Sequence, residues 1–378
     1  MAIWDVIVIG TGGVGSAAAM HLAKAGVRVL GIDQYQPAHD RGSSHGQTRI
    51  IRQAYFEHPS YVPLLTRAYE LWDELEQNSD RKLFHRTGLV ELGPADGVVI
   101  PGVLRSAKTY DLPIQSLSAA GVTQRWSGIS GDRDWQAVIE ENAGFLKVEA
   151  CVQTHLDLAA SYGGQLMHNC RVHEWKTGPQ SIAVTTDQGT QWAAHLVVAG
   201  GPWTQTLLPE LATHLKVLRK HLYWFQPARS GFEETDGFPC FFHETGNGFF
   251  YGFPSLNGSG VKVARHSGGQ SIDQPDSDSA SEVDETDVQD QQLVTDYVRQ
   301  YLPGLGDRLL KRVKCYYTST PDEHFVIDHL PDQPNVTIVA GLSGHGFKFT
   351  SVLGEIASQL ALGNRCTLDI GSFGVARF

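Results

Sequence analysis

The run Asp5-Val6-Ile7-Val8-Ile9-Gly10-Thr11-Gly12-Gly13-Val14-Gly15 leaves few options for the start of this chain. Val6 to Ile9 are short, apolar and β-branched, and a glycine stops them, which predicts a buried strand. Gly10, Gly12 and Gly15 then give the spacing Gly-x-Gly-x-x-Gly. In that pattern the first glycine allows a tight turn, the second lets backbone approach a pyrophosphate, and the third lets helix and strand pack closely. An Ala-rich helix is expected over 14–25, with its positive end toward the phosphates and Gly26 as its stop. A second strand follows and ends at Asp33, the place of a ribose-binding acid. Glycines at this spacing also occur in ordinary turns. Here strand, loop, helix, strand and acid come in order, and together they predict a dinucleotide site that is either FAD or NAD.

The rest of the composition bounds the partners. A length of 378 residues suits two domains or one elaborated α/β domain. The net charge of −11 argues against nucleic acid and anionic membrane, which both need a basic surface. Cys151, Cys170, Cys240, Cys315 and Cys366 stand far apart, so neither a zinc site nor a Cys-x-x-Cys redox pair is expected. Their odd number fits a reducing cytoplasm. No basic-then-apolar leader precedes the first strand, and no run has the length of a membrane span.

After Asp33 the chain departs from a plain nicotinamide-binding fold. Residues 34–52 form a polar Gly/Ser/His-rich loop that runs into a basic segment. Arg49 and Arg52 would share a face if that segment were helical, and either arginine suits a carboxylate because its planar fork binds one bidentately. An amphipathic helix is expected over 61–77, with Val62, Leu65, Ala68, Leu71 and Leu75 at helical spacing. Another helix is expected near 102–110 and a third over 148–162. Strands over 165–167, 181–185 and 196–199 return toward the nucleotide unit, and the last closes on Gly200-Gly201-Pro202-Trp203. Residues 217–265 alternate and are rich in aromatics, which predicts antiparallel strands of a second unit. The acidic stretch 273–292 reads as an exposed, solvated insertion. A strand over 336–340, a glycine loop and a helix over 349–362 close the chain.

Gly42-Ser43-Ser44-His45-Gly46 followed by Thr48-Arg49-Ile50-Ile51-Arg52 resembles the family of monomeric sarcosine oxidase and N-methyltryptophan oxidase. Tyr61-Val62-Pro63-Leu64, Leu71-Trp72-Asp73-Glu74-Leu75 and Gly88-Leu89-Val90 continue the likeness. Tyr251-Gly252-Phe253-Pro254, Cys315, Asp322-Glu323-His324-Phe325 and Ser343-Gly344-His345-Gly346-Phe347-Lys348-Phe349 carry it to the end. The resemblance implies an α/β chain with a Rossmann-like FAD-binding domain and an inserted antiparallel-sheet substrate domain. The expected boundaries are 1–85, 147–216 and 319–378 for the first, and 86–146 and 217–318 for the second. A monomer is expected from the same likeness.

The family pattern also implies roles. FAD would be attached through a thioether at Cys315, which taken alone is only a small apolar residue in a strand. Contacts to FAD are implied for Gly10, Gly12, Gly13, Gly15, Asp33, Gln34, Ser43, Arg49, Ile50, Val172, Gly200, Trp203, Gly344, His345, Gly346, Phe347 and Lys348. Arg52 and Lys348 would clamp the substrate carboxylate. Lys262, an outward lysine on a half-buried strand by its own pattern, would promote reaction with oxygen. Tyr251, His266, His45, Arg49 and Tyr317 would line the site. The implied reaction oxidises the C–N bond of a small N-methyl amino acid, and the imine then hydrolyses. Molecular oxygen ends as hydrogen peroxide, so sarcosine would give glycine and formaldehyde.

Three departures from the family pattern stand out. Ser44-His45 replaces His-His, Gln47 replaces Asp, and Phe56 and His58 flank Glu57 where glycines are usual. These predict altered hydrogen bonding near Gln47 and a stiffer gate at Glu57, which bears on substrate size more than on reaction class. An oxidase or dehydrogenase of another secondary, cyclic or primary amino acid, of the pipecolate or proline kind, stays open. So does a flavin-binding subunit without turnover.

Overall fold

In the computed structural model, which describes residues 4–277 and 284–378, the strand Trp4–Ile9 runs parallel between Val29–Ile32 and Gly189–Val198. Its last four residues are buried on both faces, as the unbroken apolar run requires. This eight-stranded sheet has the order 172–177, 182–186, 189–198, 4–9, 29–32, 165–167. Gln333–Ala340 pairs with Gly189–Val198 and carries Val326–Leu330 on its other edge. The sheet therefore gathers strands from the start, middle and end of the chain.

The helix Gly13–Lys24 lies against the helices Val148–Ser161 and Thr350–Ala361. The Ala-rich run explains how closely they approach. A Cβ on Gly354 would stand 2.4 Å from the Ala17 Cβ, so this crossing tolerates only small side chains.

A second, nine-stranded sheet holds Lys216–Pro227, Val261–Arg265, Gly248–Phe253 and Cys240–Thr245 in antiparallel register, as the aromatic alternation predicts. It extends in parallel onto Leu89–Gly93, and Leu305–Ser319 pairs with Lys216–Pro227 along nearly its whole length. A three-stranded sheet of Thr48–Ile51, Gly144–Lys147 and Phe84–His85 stands apart from both.

Two expectations need correction here. The basic segment is a strand, Thr48–Ile51, so Arg49 and Arg52 do not share a face. Its β-branched residues and its pairing with Gly144–Lys147 win over helix formation. The acidic stretch is also not a plain solvated insertion, although residues 278–283 within it lie outside the described residues. Asp284 caps the helix Glu285–Tyr301 through a reciprocal capping box with Asp287. Asp287 is buried and its Oδ1 lies 2.9 Å from Arg219 Nη2, so a charge that looks solvated in sequence neutralises an arginine in the second sheet.

Candidate active site

The glycine loop fits a dinucleotide on steric grounds. Gly10 has φ +84°, and a Cβ there would stand 2.5 Å from the Ala199 carbonyl oxygen. A Cβ on Gly15 would fall 1.7 Å from the Gly10 oxygen, so the third glycine packs helix on strand as expected. A Cβ on Gly12 would meet nothing closer than Ser44 Oγ at 3.6 Å, an ordinary contact, and the residue lines a cavity. Asp33 accepts hydrogen bonds from the Thr11 amide at 2.7 Å and the Tyr35 amide at 3.0 Å. These bonds and His39 hold it ionised against its burial. Ser44 Oγ accepts from the Gly13 amide at 3.1 Å and so ties the Gly/Ser/His loop to the helix start.

One cavity runs along this cradle. It is lined by Gly10, Gly12, Gly13, Asp33, Gln34, Ser43, Arg49, Val172, Gly200, Trp203, Gly344, Gly346, Phe347 and Tyr317, all named from the sequence or its resemblance. Five named residues stand behind its wall. Gly15 packs on Gly10, and Ile50 belongs to the core beneath the second sheet. Cys315 sits behind Arg49 and Ser43, while His345 and Lys348 lie on the far side of the closing loop. That loop is tight: Gly344 has φ +79°, and a Cβ there would reach the Tyr317 ring at 2.3 Å. Lys348 lies in a 3₁₀ turn, Phe347–Phe349, that leads directly into the helix Thr350–Ala361. Gly15→Ala is expected to yield protein with little bound cofactor and a lower melting temperature, because the clash is with backbone and cannot relax. Wild-type melting and cofactor content would contradict the packing role.

Around Cys315 the charges converge. Arg49 Nη2 donates to the Ser43 carbonyl at 2.9 Å and lies 3.2 Å from Cys315 Sγ. Burial opposes ionisation of the thiol. Arg49, a hydrogen bond from His45, and Lys262 outweigh it and bring the pKa down to about 6. Lys262 is itself buried. Its Nζ donates to the Gly46 carbonyl at 2.7 Å, to the Thr48 carbonyl at 2.8 Å and to Thr48 Oγ1 at 3.2 Å. Three acceptors are the complement of an ammonium group. Burial, reinforced by Arg49, nevertheless pulls its pKa well below the ordinary lysine range. Gln47 accounts for the local departure in hydrogen bonding, since its Oε1 accepts from Trp224 Nε1 at 3.0 Å and its amide is held by Glu149.

A second group of residues meets at Tyr55. Arg52 lies 4.8 Å above that ring, and Lys348 Nζ is 3.4 Å from its hydroxyl. Arg52 Nη2 donates to both Glu57 oxygens, at 3.1 and 2.9 Å, so the expected gate residue sits on the expected clamp. Burial, and then repulsion from Arg52, lowers the Lys348 pKa to about 7, against the pull of Glu57 and Glu91. Phe56 lies under Arg52 at 4.6 Å and makes tilted ring contacts with Phe242 and Phe249. Through Phe242 these rings reach His266, whose Nδ1 lies 3.4 Å from the Tyr317 hydroxyl. Tyr317 also hydrogen-bonds Tyr251. Burial keeps His266 neutral, down to about 3, and raises both tyrosines, so all three are uncharged polar groups.

Sequence reading missed four residues that shape this site: Tyr55, Glu91, Glu140 and Glu149. Glu91 carries the clearest overlooked signal, a carboxylate inside the apolar strand Leu89-Val90-Glu91-Leu92. Among the described residues no His, Cys, Asp and Glu group has the arrangement of a metal site, and no helix is long and apolar enough to cross a membrane.

Comparison with known proteins agrees with this geometry. Residues 5–360 match the family model described as FAD dependent oxidoreductase. The chain is 38% identical over 377 residues to a monomeric sarcosine oxidase of Bacillus sp. (strain B-0618), covering 99% of this chain and 96% of that one. It is 39% identical over 378 residues to an N-methyl-L-tryptophan oxidase of Escherichia coli O139:H28, covering 99% of both. In fold it resembles NikD, an unusual amino acid oxidase essential for nikkomycin biosynthesis, with a TM-score of 0.86, 24% identity, and 99% and 98% of the two chains covered. It also resembles the glycine oxidase of Geobacillus kaustophilus, with a TM-score of 0.81, 17% identity and both chains fully covered. With its glycine cradle, its buried Asp33 and this near full-length likeness, the chain belongs to the FAD dependent oxidoreductase family, in the group of monomeric sarcosine oxidase and N-methyl-L-tryptophan oxidase.

Proposed function

We propose that this protein is an FAD-dependent oxidase that demethylates N-methyl amino acids, releasing the amino acid, formaldehyde and hydrogen peroxide. One observation carries the reading. Arg52 and Lys348 converge on Tyr55, and an aromatic wall joins them to His266, Tyr317 and Tyr251, while Tyr317 also lines the dinucleotide cavity. A carboxylate-binding pair and a polar, uncharged trio thus flank the end of the cofactor site.

When bound, FAD supplies the two-electron acceptor and the route of those electrons to oxygen. The protein's own residues do the remaining work. Arg52 and Lys348 fix the substrate carboxylate, each through charge-assisted hydrogen bonds. His266 and Tyr317, both neutral, orient the amine nitrogen without repelling it. Phe56, Phe242 and Phe249 keep water away from the reacting carbon. Lys262, in its protonated form, would supply positive charge that stabilises oxygen as it is reduced. Cys315, already close to a thiolate, is the point of covalent attachment.

The two large sheets support reading 1–85, 147–216 and 319–378 as the FAD unit, and 86–146 and 217–318 as the substrate unit, while the three-stranded sheet ties Gly144–Lys147 to strands of the first unit. Five unpaired cysteines support a reducing cytoplasm, and relatives of the monomeric type support a monomer.

Anaerobic addition of an N-methyl amino acid is expected to bleach the yellow absorbance of the purified protein. The methyl ester of the same compound should fail to do so at the same concentration. Equal bleaching by acid and ester would overturn the carboxylate clamp. After acid precipitation the colour is expected to stay with the protein pellet in the wild type and to leave it in Cys315→Ala. Colour released from both would remove the covalent role of Cys315.

A further inference from the structure

Arg52 has more negative neighbours than one cation needs. Glu57 takes Nη2, and Glu91 Oε1 lies 3.4 Å from Nε. A third carboxylate, Glu140, faces the same region and accepts the Gln53 and Ala54 amides at 2.8 Å each. Where Glu91 is also charged, a substrate carboxylate entering here would be a further anion against the two cations of the clamp, Arg52 and Lys348. One negative charge has to be relieved.

The carboxylates are not equally able to leave. Glu57 lies on a loop with its side chain 17% exposed, so it can turn to solvent. Glu91 lies mid-strand, paired on one side with Cys240–Thr245 and on the other with Gln136–Glu140, and its side chain is 1% exposed. It cannot move away. Its Oε1 is buried and has no hydrogen-bond partner among the described residues, and neither has the facing Arg52 Nε. A fixed, buried acceptor without a donor can be relieved by a proton.

We propose that Glu91 is a proton-linked counter-ion of the clamp: in alkaline solution, where it is charged in the free protein, it takes a proton from solvent when an anionic ligand engages Arg52 and becomes a neutral acid. This rests on the carboxylate-clamp reading above. Burial lifts Glu91 against the pull of Arg52, with Glu140 and Glu57 adding to the rise and Lys348 opposing it, to about 8. A ligand carboxylate adds one more like charge and lifts it further. The other ionisable groups around the clamp are Tyr55, Tyr69, His345 and His266, all held neutral by burial, and the cations Arg49 and Lys348. Lys348 also gains a proton when an anion binds, so the two contributions must be separated.

The test is titration calorimetry of the flavin-loaded protein with propionate, an anion without an amine. Runs at pH 8.5 in two buffers of different ionisation enthalpy give the protons taken up per ligand bound. With a pKa of about 8, Glu91 is roughly three-quarters ionised at that pH, so its share is up to ~0.75 proton. The wild type is expected to take up about that much more than Glu91→Gln, whose remaining uptake belongs to Lys348. The affinity of Glu91→Gln should also fall less steeply with rising pH. Equal uptake by the two proteins would overturn the proposal and leave the clamp intact. A wild type that does not bind propionate would instead overturn the clamp, and this proposal with it. Should Glu91→Gln fold poorly, infrared difference spectra of the wild type decide: propionate should produce the C=O band of a buried protonated carboxyl, and its absence counts against Glu91.

Discussion

Arg52→Ala is expected to raise the KM for a carboxylate substrate by about 10- to 150-fold, the equivalent of roughly 1.5–3 kcal/mol for charge-assisted hydrogen bonds to one anion. The guanidinium lies over the rings of both Tyr55 and Phe56 and is pinned by Glu57, so it is already in place when substrate arrives. Breaking a buried ion pair by removing one partner commonly costs ~3–5 kcal/mol of stability. Here the cost should be smaller, because Glu91 sits high enough in pKa to take a proton and Glu57 can swing to solvent. The variant should therefore stay folded and keep its flavin while its KM rises. Arg52→Lys should recover part of the loss, since it keeps the charge but not the fork. Steady-state kinetics of the three proteins checks this, and an unchanged KM in Arg52→Ala contradicts it.

Lys262→Met is expected to leave anaerobic reduction by substrate within a few-fold of wild type and to slow reaction with oxygen by about 10²-fold or more, the scale of losing one preorganised electrostatic group. The lysine's hydrogen bonds go to the Gly46 and Thr48 carbonyls and the Thr48 hydroxyl, and its ammonium lies over the rings of Phe253 and Trp224, none of which belongs to the carboxylate clamp. Burial depresses its pKa, so the charged form prevails at lower pH and is lost as pH rises. Wild-type reactivity with oxygen should fall in the same direction, whereas the variant should show a flat profile. Stopped-flow mixing of the reduced proteins with oxygen separates these outcomes, and equal rates would remove the role given to Lys262.

The nucleotide cradle was legible because local rules and tertiary packing agree there. The glycine spacing, the Ala-rich helix and Asp33 each follow from the close approach of backbone to backbone, and each lies where its pattern puts it. Arg49 and Arg52 show where local reading ends. Spacing alone allowed a shared helical face, but the segment pairs as a strand, and the two guanidinium groups serve different ends of the site. Asp287 looked solvated because nothing near it in sequence is basic. Its partner Arg219 is 68 positions away, on the strand Lys216–Pro227 of the second sheet. Glu91 had a visible anomaly, a carboxylate in an apolar strand, but its meaning depends on Arg52, which only the fold brings beside it. Lys348, Lys262 and Cys315 took their roles from family resemblance. The structure adds the physical reasons those residue types suit the places they occupy: acceptors around each lysine, and cations around the thiol.

The most direct test of the central claim is the stoichiometry of turnover. Purified yellow protein would be mixed with sarcosine, and separately with N-methyl-L-tryptophan, while oxygen uptake, peroxide and formaldehyde are measured together. At least one of them is expected to consume one oxygen for each peroxide and each formaldehyde formed. Peroxide without formaldehyde, from a cyclic or primary amino acid alone, would contradict the demethylation. Substrate oxidation without oxygen uptake would contradict the oxidase.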